Sequence, residues 1–184
     1  MTITYEICVD WDMTDWAATP DFTGTYDNIS NDVQTISWSR GKEVEAGNAP
    51  AATLEIRMKP GLVSKYSPVN SAGVLYGKIL PWRIIRVRGT YDGGSTYYNV
   101  FLGFISKYTI DPHPERKSVS IYCTDGTDLL ARQIVEQDYE NRSVMTEAEA
   151  MESLLNSAGW SSSRRDLGSG GDLKYPAVAE YGGI

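Results

Sequence analysis

Apolar residues fall on alternate positions at Ile3, Tyr5, Ile7 and Val9, which puts them on one face of an extended strand and leaves Thr4, Glu6 and Cys8 on the other. The alternation returns over 34–40 through Ile36 and Trp38, over 52–58 through Leu54, Ile56 and Met58, and over 118–123 through Val119 and Ile121. Between the runs 82–91 and 96–105 stands Asp92-Gly93-Gly94-Ser95, whose glycines supply the positive φ angles of a tight reversal. The spacing predicts a hairpin there. Short strands separated by turns and rich in Tyr, Trp, Val and Ile predict a mainly β domain over residues 1–123, an antiparallel β-barrel, split barrel or sandwich. Its expected core holds Ile36, Trp38, Leu54, Ile56, Ile85, Val87, Val100, Leu102 and Ile121.

Two connections are long. Residues 10–32 and 59–78 have no sustained period and are expected to run over the surface, and their aromatic and polar content suits protein contacts better than chemistry. After Cys123 the period changes to that of a helix. Asp125 or Thr127 is placed to cap one that runs to about Gln137, with Leu129, Leu130 and Ile134 facing inward. Thr146 and Glu149 stand at capping-box spacing before a second helix, on which Ala148, Met151, Leu155 and Ala158 share a face and after which Gly159 supplies a left-handed stop. Residues 124–160 are thus expected to open a second domain. Residues 161–184, with Ser-Ser-Ser-Arg-Arg and Gly-Ser-Gly-Gly, look like a linker or the start of something larger.

Charge and composition then remove several kinds of chemistry. The net charge is -7, and the acids gather toward the two ends, leaving residues 41–135 with a basic surplus. A nucleic-acid binder normally carries the opposite balance; only Arg83, Arg86 and Arg88 on one strand faintly suggest it. Cys8 and Cys123 sit in separate apolar runs and are read as buried thiols. The lone His113, between Pro112 and Pro114, is expected in a surface turn without partners for a metal. Paired acids such as Asp10 with Asp12 and Asp125 with Asp128 lack the apolar walls that raise one carboxyl for acid catalysis. Neither glycine-rich stretch has the strand-before, helix-after context of a phosphate loop. No catalytic residue, metal site or cofactor is expected. No run of apolar residues approaches a membrane span, so a soluble protein made in the cytoplasm is expected.

A series of segments in order carries a family resemblance. These are Asp32 to Gly41 with its Ser-Trp-Ser-Arg-Gly end, Ala51 to Met58, Tyr66-Ser-Pro-Val-Asn-Ser, Trp82 to Arg88, Phe101-Leu-Gly-Phe-Ile, and Val119 to Arg132. Together with the Ala-Gly-Trp at the end of the second predicted helix, they resemble the N-terminal part of minor tail proteins of long-tailed bacteriophages, of the tail-hub class. Where members of that family often carry a glycine-containing turn before the Trp82 strand, this chain has Leu80-Pro81.

The resemblance implies a tail-tube-like β-barrel packed beside copies of itself in a ring that continues the tail tube. A trimer is the preferred assembly and a hexamer the alternative. The implied partners are the distal tail protein, other tail-tip proteins and the tape-measure protein, and phage DNA would pass the lumen without specific binding. The location implied is the distal end of the virion tail. Interface candidates are Trp11, Trp16, Tyr26, Tyr66, Asn70, Tyr76, Arg83, Arg86 and Arg88. The alternatives are a hexameric distal tail adaptor, or a carbohydrate-binding β domain that would expose Trp11, Trp16 and Tyr26 beside an open groove.

Overall fold

The computed structural model describes residues 3–14, 18–40, 50–111, 117–132, 145–160, 162 and 174–175. Six strands, β1 (Thr4–Val9), β2 (Val33–Ser39), β3 (Thr53–Met58), β4 (Ile84–Thr90), β5 (Tyr98–Asp111) and β6 (Ser118–Thr124), form one antiparallel sheet in the order β1-β4-β5-β6-β3-β2. The sheet curls into an open half-barrel. Its two outer strands, β1 and β2, approach closely enough for the Tyr5 and Trp38 rings to meet edge to face at 5.7 Å.

Register decides which residues fill the concave side. Ile7 lies opposite Val87 and Val87 opposite Phe101, while Val9, Ile85 and Gly103 form the next rung. Beyond them Leu54, Ile105 and Cys123 form a further rung, as do Ile36, Ile56, Ile121 and Tyr108. Partners across an antiparallel ladder share a face, so one apolar core runs through all six strands. A register shift at Ser106 keeps both Ile105 and Tyr108 on that face, one odd and one even position. This bulge lets the fourteen-residue β5 pair with β4 along its first part and with β6 along its second.

Leu54, Ile56, Ile85, Val87 and Ile121 are buried as expected, and Ile36 and Val100 are partly buried against the same core. Trp38 and Leu102 depart from expectation, at 40% and 51% exposed. In Val100-Phe101-Leu102-Gly103-Phe104-Ile105 apolar residues occupy both parities, so alternation leaves the choice open. Pairing with Ile85 and Val87 turns Phe101 and Ile105 inward and Leu102 outward. Trp38 does point to the concave side, opposite Leu54, but on an edge strand with no further strand beyond it.

The hairpin between β4 and β5 is wider than the four-residue turn expected, spanning residues 91–97. Gly93 and Gly94 have φ of 74° and 99°, and Asp92 accepts hydrogen bonds from Thr90 Oγ1 at 2.7 Å and Thr96 N–H at 3.0 Å. Before β4, Trp82 itself takes a left-handed φ of 68°. That conformation costs a bulky residue energy. Trp82 N–H donates to Ile105 O at 2.8 Å and its ring packs 6.3 Å from Phe104, contacts that hold it there.

The two long connections are not simple surface excursions. Residues 27–29 lie alongside β1, with Val9 N–H donating to Asp27 O and Ile29 N–H donating to Ile7 O, and Ile29 is fully buried. From residues 59–78 the side chains of Tyr66 and Leu75 enter the same core. Each connection thus closes part of the half-barrel that the strands leave open.

By contacts the chain forms two compact units, residues 1–16 with 20–130, and residues 17–19 with 131–184. Helix α1 (Gly126–Ala131) follows β6, and Thr127 N–H donates to Asp125 Oδ1 at 3.0 Å at its start. It is shorter than the helix expected to about Gln137; residues 133–137 lie outside the described residues. In the second unit, a two-residue strand β7 (Met145–Thr146) pairs with β8 (Lys174–Tyr175), and helix α2 (Glu147–Ser157) begins at a complete capping box. Glu149 N–H donates to Thr146 Oγ1 at 3.3 Å, and Thr146 N–H donates to Glu149 Oε2 at 2.6 Å. Gly159, at φ 70°, follows the helix, as its spacing predicts. Ala158 is buried while Met151, expected on the same face, is exposed.

Candidate interaction surface

Four of the expected interface residues serve this chain's own fold. The Trp11 indole is 1% exposed, its Nε1–H donates to Tyr26 O at 3.0 Å, and its ring lies 6.2 Å from that of Tyr66. Tyr66 is fully buried and donates its hydroxyl to Asp32 Oδ2 at 2.6 Å, where Lys65 Nζ also donates. Burial and the Asp32 carboxylate both push the Tyr66 phenol above its ordinary range. Arg83 is buried, with Nε–H donating to Lys78 O at 3.0 Å. Half-buried Asn70 braces its own loop, donating from Nδ2 to Ser64 O and accepting from Ala72 N–H.

A large aromatic in a long connection reads equally well as an anchor for a neighbour or for the chain's own core. The structure takes the second course for Trp11 and Tyr66. Tyr26 and Tyr76 remain exposed, and Trp16 and His113 lie outside the described residues.

Arg86 and Arg88 stand two residues apart on β4, on the convex face, with Cys8 and Glu6 beside them on β1. Instead of facing a neighbour freely, both reach the same oxygen of this chain. Arg88 donates to Glu6 Oε1 from Nη2 at 2.6 Å and Nε at 3.1 Å, and Arg86 Nη2 lies 3.4 Å from it. Burial by itself would raise the Glu6 carboxyl. Hydrogen bonds from Arg88 and Cys8 and the two guanidinium charges outweigh it, so the carboxyl is held below its usual value. Burial, with the neighbouring carboxylate, pushes the Cys8 thiol up to about 11. Cys8 and Cys123 are both free and buried, so neither is a ready nucleophile.

Exposed apolar surface gathers elsewhere. At the hairpin tip Tyr91 and Tyr98 stack at 5.5 Å and share a 2.9 Å hydroxyl contact, and Tyr97 lies under the Arg88 guanidinium at 4.5 Å. In the second connection Val69, at 85% exposed, Val74 and Tyr76 face solvent. The hairpin tyrosines were legible only as turn-flanking aromatics. Nothing in their spacing says that Tyr91 and Tyr98 meet across the turn.

The third feature is an open edge. Among the described residues no strand pairs with the outer side of β2, and its sequence, Val-Gln-Thr-Ile-Ser-Trp-Ser, has neither a charge nor a proline. At β1 the corresponding side is partly covered by the bridge from Asn28 to Cys8. Beside β2 a shallow groove of about 500 Å³ is lined by residues of both parities, among them Ser37, Trp38, Ser39, Thr53, Leu54 and Thr124.

Among the described residues no group of three or more His, Cys, Asp or Glu is arranged to hold a metal ion, and no helix is long and apolar enough to cross a membrane. No protein-family model matches the chain, and no curated protein matches it in sequence.

Proposed function

We infer that the chain is a structural protein of the distal tail of a long-tailed bacteriophage, a tail-hub-like minor tail protein. In this role its tail-tube-like β domain stands beside copies of itself in a ring that continues the tube. The observation that carries the inference is that, among the described residues, no strand pairs with the outer edge of β2. Seven residues without charge or proline are the kind of edge that monomeric proteins usually protect, because its unpaired backbone groups recruit another strand. A domain that assembles through that edge has reason to leave it bare. The order of segments from Asp32 to Arg132 supplies the tail-hub identity, and the acidic net charge suits a lumen through which DNA passes without sticking.

A ring of three copies is the preferred assembly, meeting the distal tail protein on one side and other tip proteins or the tape measure on the other. The role is architectural and needs no catalytic group or cofactor. Of the aromatic platform that the carbohydrate-binding alternative expects, Trp11 is buried in this chain's own core and Tyr26 is exposed.

Electron microscopy of purified tail tips, with this chain labelled, tests the proposal directly. Three copies in a ring at the tip are expected. Six equivalent copies would instead favour the adaptor ring, and absence of the chain from the tail would sink the structural reading. Ser37→Lys, which puts a charge on an exposed position of edge strand β2, should abolish ring formation while the isolated domain keeps its β-sheet circular dichroism.

A further inference from the structure

A second groove, of about 440 Å³, opens on the convex face of β1 and β4 beneath the returning segment Pro20–Thr23. Its floor is the cluster of Glu6, Cys8, Arg86 and Arg88. Two cations here share one carboxylate, and they share it unequally. Arg88 forks onto Glu6 Oε1 with two hydrogen bonds, whereas Arg86 reaches it only at 3.4 Å and its buried Nε has no hydrogen-bond partner. A buried donor left unfilled costs about 1–3 kcal/mol.

Both guanidinium planes are already fixed by aromatic rings, Arg86 over Phe22 at 4.2 Å and Arg88 over Tyr97 at 4.5 Å. The forks are therefore held before any ligand arrives, so little rotamer freedom remains to be lost on binding. Asp21, the other acid of the groove, accepts a hydrogen bond from Thr23 N–H at 2.9 Å through Oδ1 and forms no salt bridge with either arginine. The Arg86 and Arg88 side chains as a whole are 25% and 28% exposed.

We propose that this groove is an oxyanion-binding site, in which a carboxylate or phosphate group is held by Arg86, with Glu6 and Phe22 fixing the arginine's orientation. Planar or tetrahedral oxyanions match the guanidinium fork. The site is independent of the tail assignment, because its residues all belong to one chain and face away from the core.

The test uses the full chain and two probes, inorganic phosphate and succinate, titrated calorimetrically at constant ionic strength with chloride as the reference anion. Saturable binding of one anion per chain is expected. Phosphate alone binding would identify a phosphate source, succinate alone a carboxylate source, and both a general oxyanion site. Arg86→Gln should weaken binding at least tenfold, while Arg57→Gln, on exposed β3 surface outside the groove, should leave it unchanged. Should Arg86→Gln fail to fold, Phe22→Leu removes the stacking ring and should weaken binding severalfold. Absence of saturable binding by either anion overturns the proposal, and so does full binding by a folded Arg86→Gln or Phe22→Leu chain.

Discussion

The Tyr5 ring meets the Trp38 ring edge to face, 5.7 Å between centroids and 68° between planes, although the two residues stand on the first and last strands of the sheet order. No backbone ladder joins those strands, so this side-chain contact marks where the half-barrel nearly closes. It also explains how Trp38 can lie on the concave face and still be 40% exposed. An aromatic pair of this kind adds about 0.5–1.5 kcal/mol beyond its buried area. Trp38→Ala should therefore cost about 1–2 kcal/mol in urea unfolding, and Trp11→Ala, which empties a fully enclosed site, about 3–5 kcal/mol. Equal costs for the two would show that the edge contact matters more to the fold than its exposure implies.

Gly103 on β5 has no room for a side chain. A β-carbon there would press on the Thr124 carbonyl oxygen and sit 2.7 Å from Phe101 Cε1. The carbonyl is backbone and the Phe101 ring is buried, so Gly103→Ala should destabilise the domain by about 1–3 kcal/mol. Thermal unfolding followed by circular dichroism measures this, and an unchanged midpoint would mean that the strands separate there at little cost.

The capping box of α2 gives a local prediction. Thr146→Ala removes the acceptor for Glu149 N–H and should cost about 1 kcal/mol of helix stability. Amide exchange should quicken in the first turn of α2 and stay unchanged in the six-stranded sheet, which belongs to the other compact unit.

Acid should weaken the first unit through specific carboxylates. Glu6 is held below its usual 4.5 and Asp32 below its usual 3.8, in each case because ionic and hydrogen-bonding partners outweigh burial. Groups lowered in the fold stabilise it above their unfolded values, and that contribution disappears as pH falls through their folded values. Asp27 has the opposite sign, since burial first, and then the charges of Asp10 and Asp12, raise it. Its protonation on acidification removes part of a penalty and offsets some of the loss. Glu6→Gln should cost about 1 kcal/mol at pH 7, the range for partly exposed ion pairs. The same variant should match the natural chain near pH 2. A constant difference across that range would show that Glu6 acts by packing and not by charge.

Alternation along the chain determined the strands, because a half-buried strand must place apolar residues at every second position; Leu54, Ile56 and Met58 show it on β3. Local hydrogen bonding likewise determined the start of α2, since Thr146 and Glu149 satisfy each other's backbone amides within four residues. Tertiary structure alone decided the rest. Whether Phe101 or Leu102 faces the core depended on pairing with Ile85 and Val87, because both parities of that run are apolar. Whether Trp11 and Tyr66 serve a neighbour or this chain depended on where two long connections close the barrel, a path that no sequence period fixes. The Arg86–Glu6–Arg88 cluster joins side chains some eighty residues apart, so it came into being only when β1 found β4.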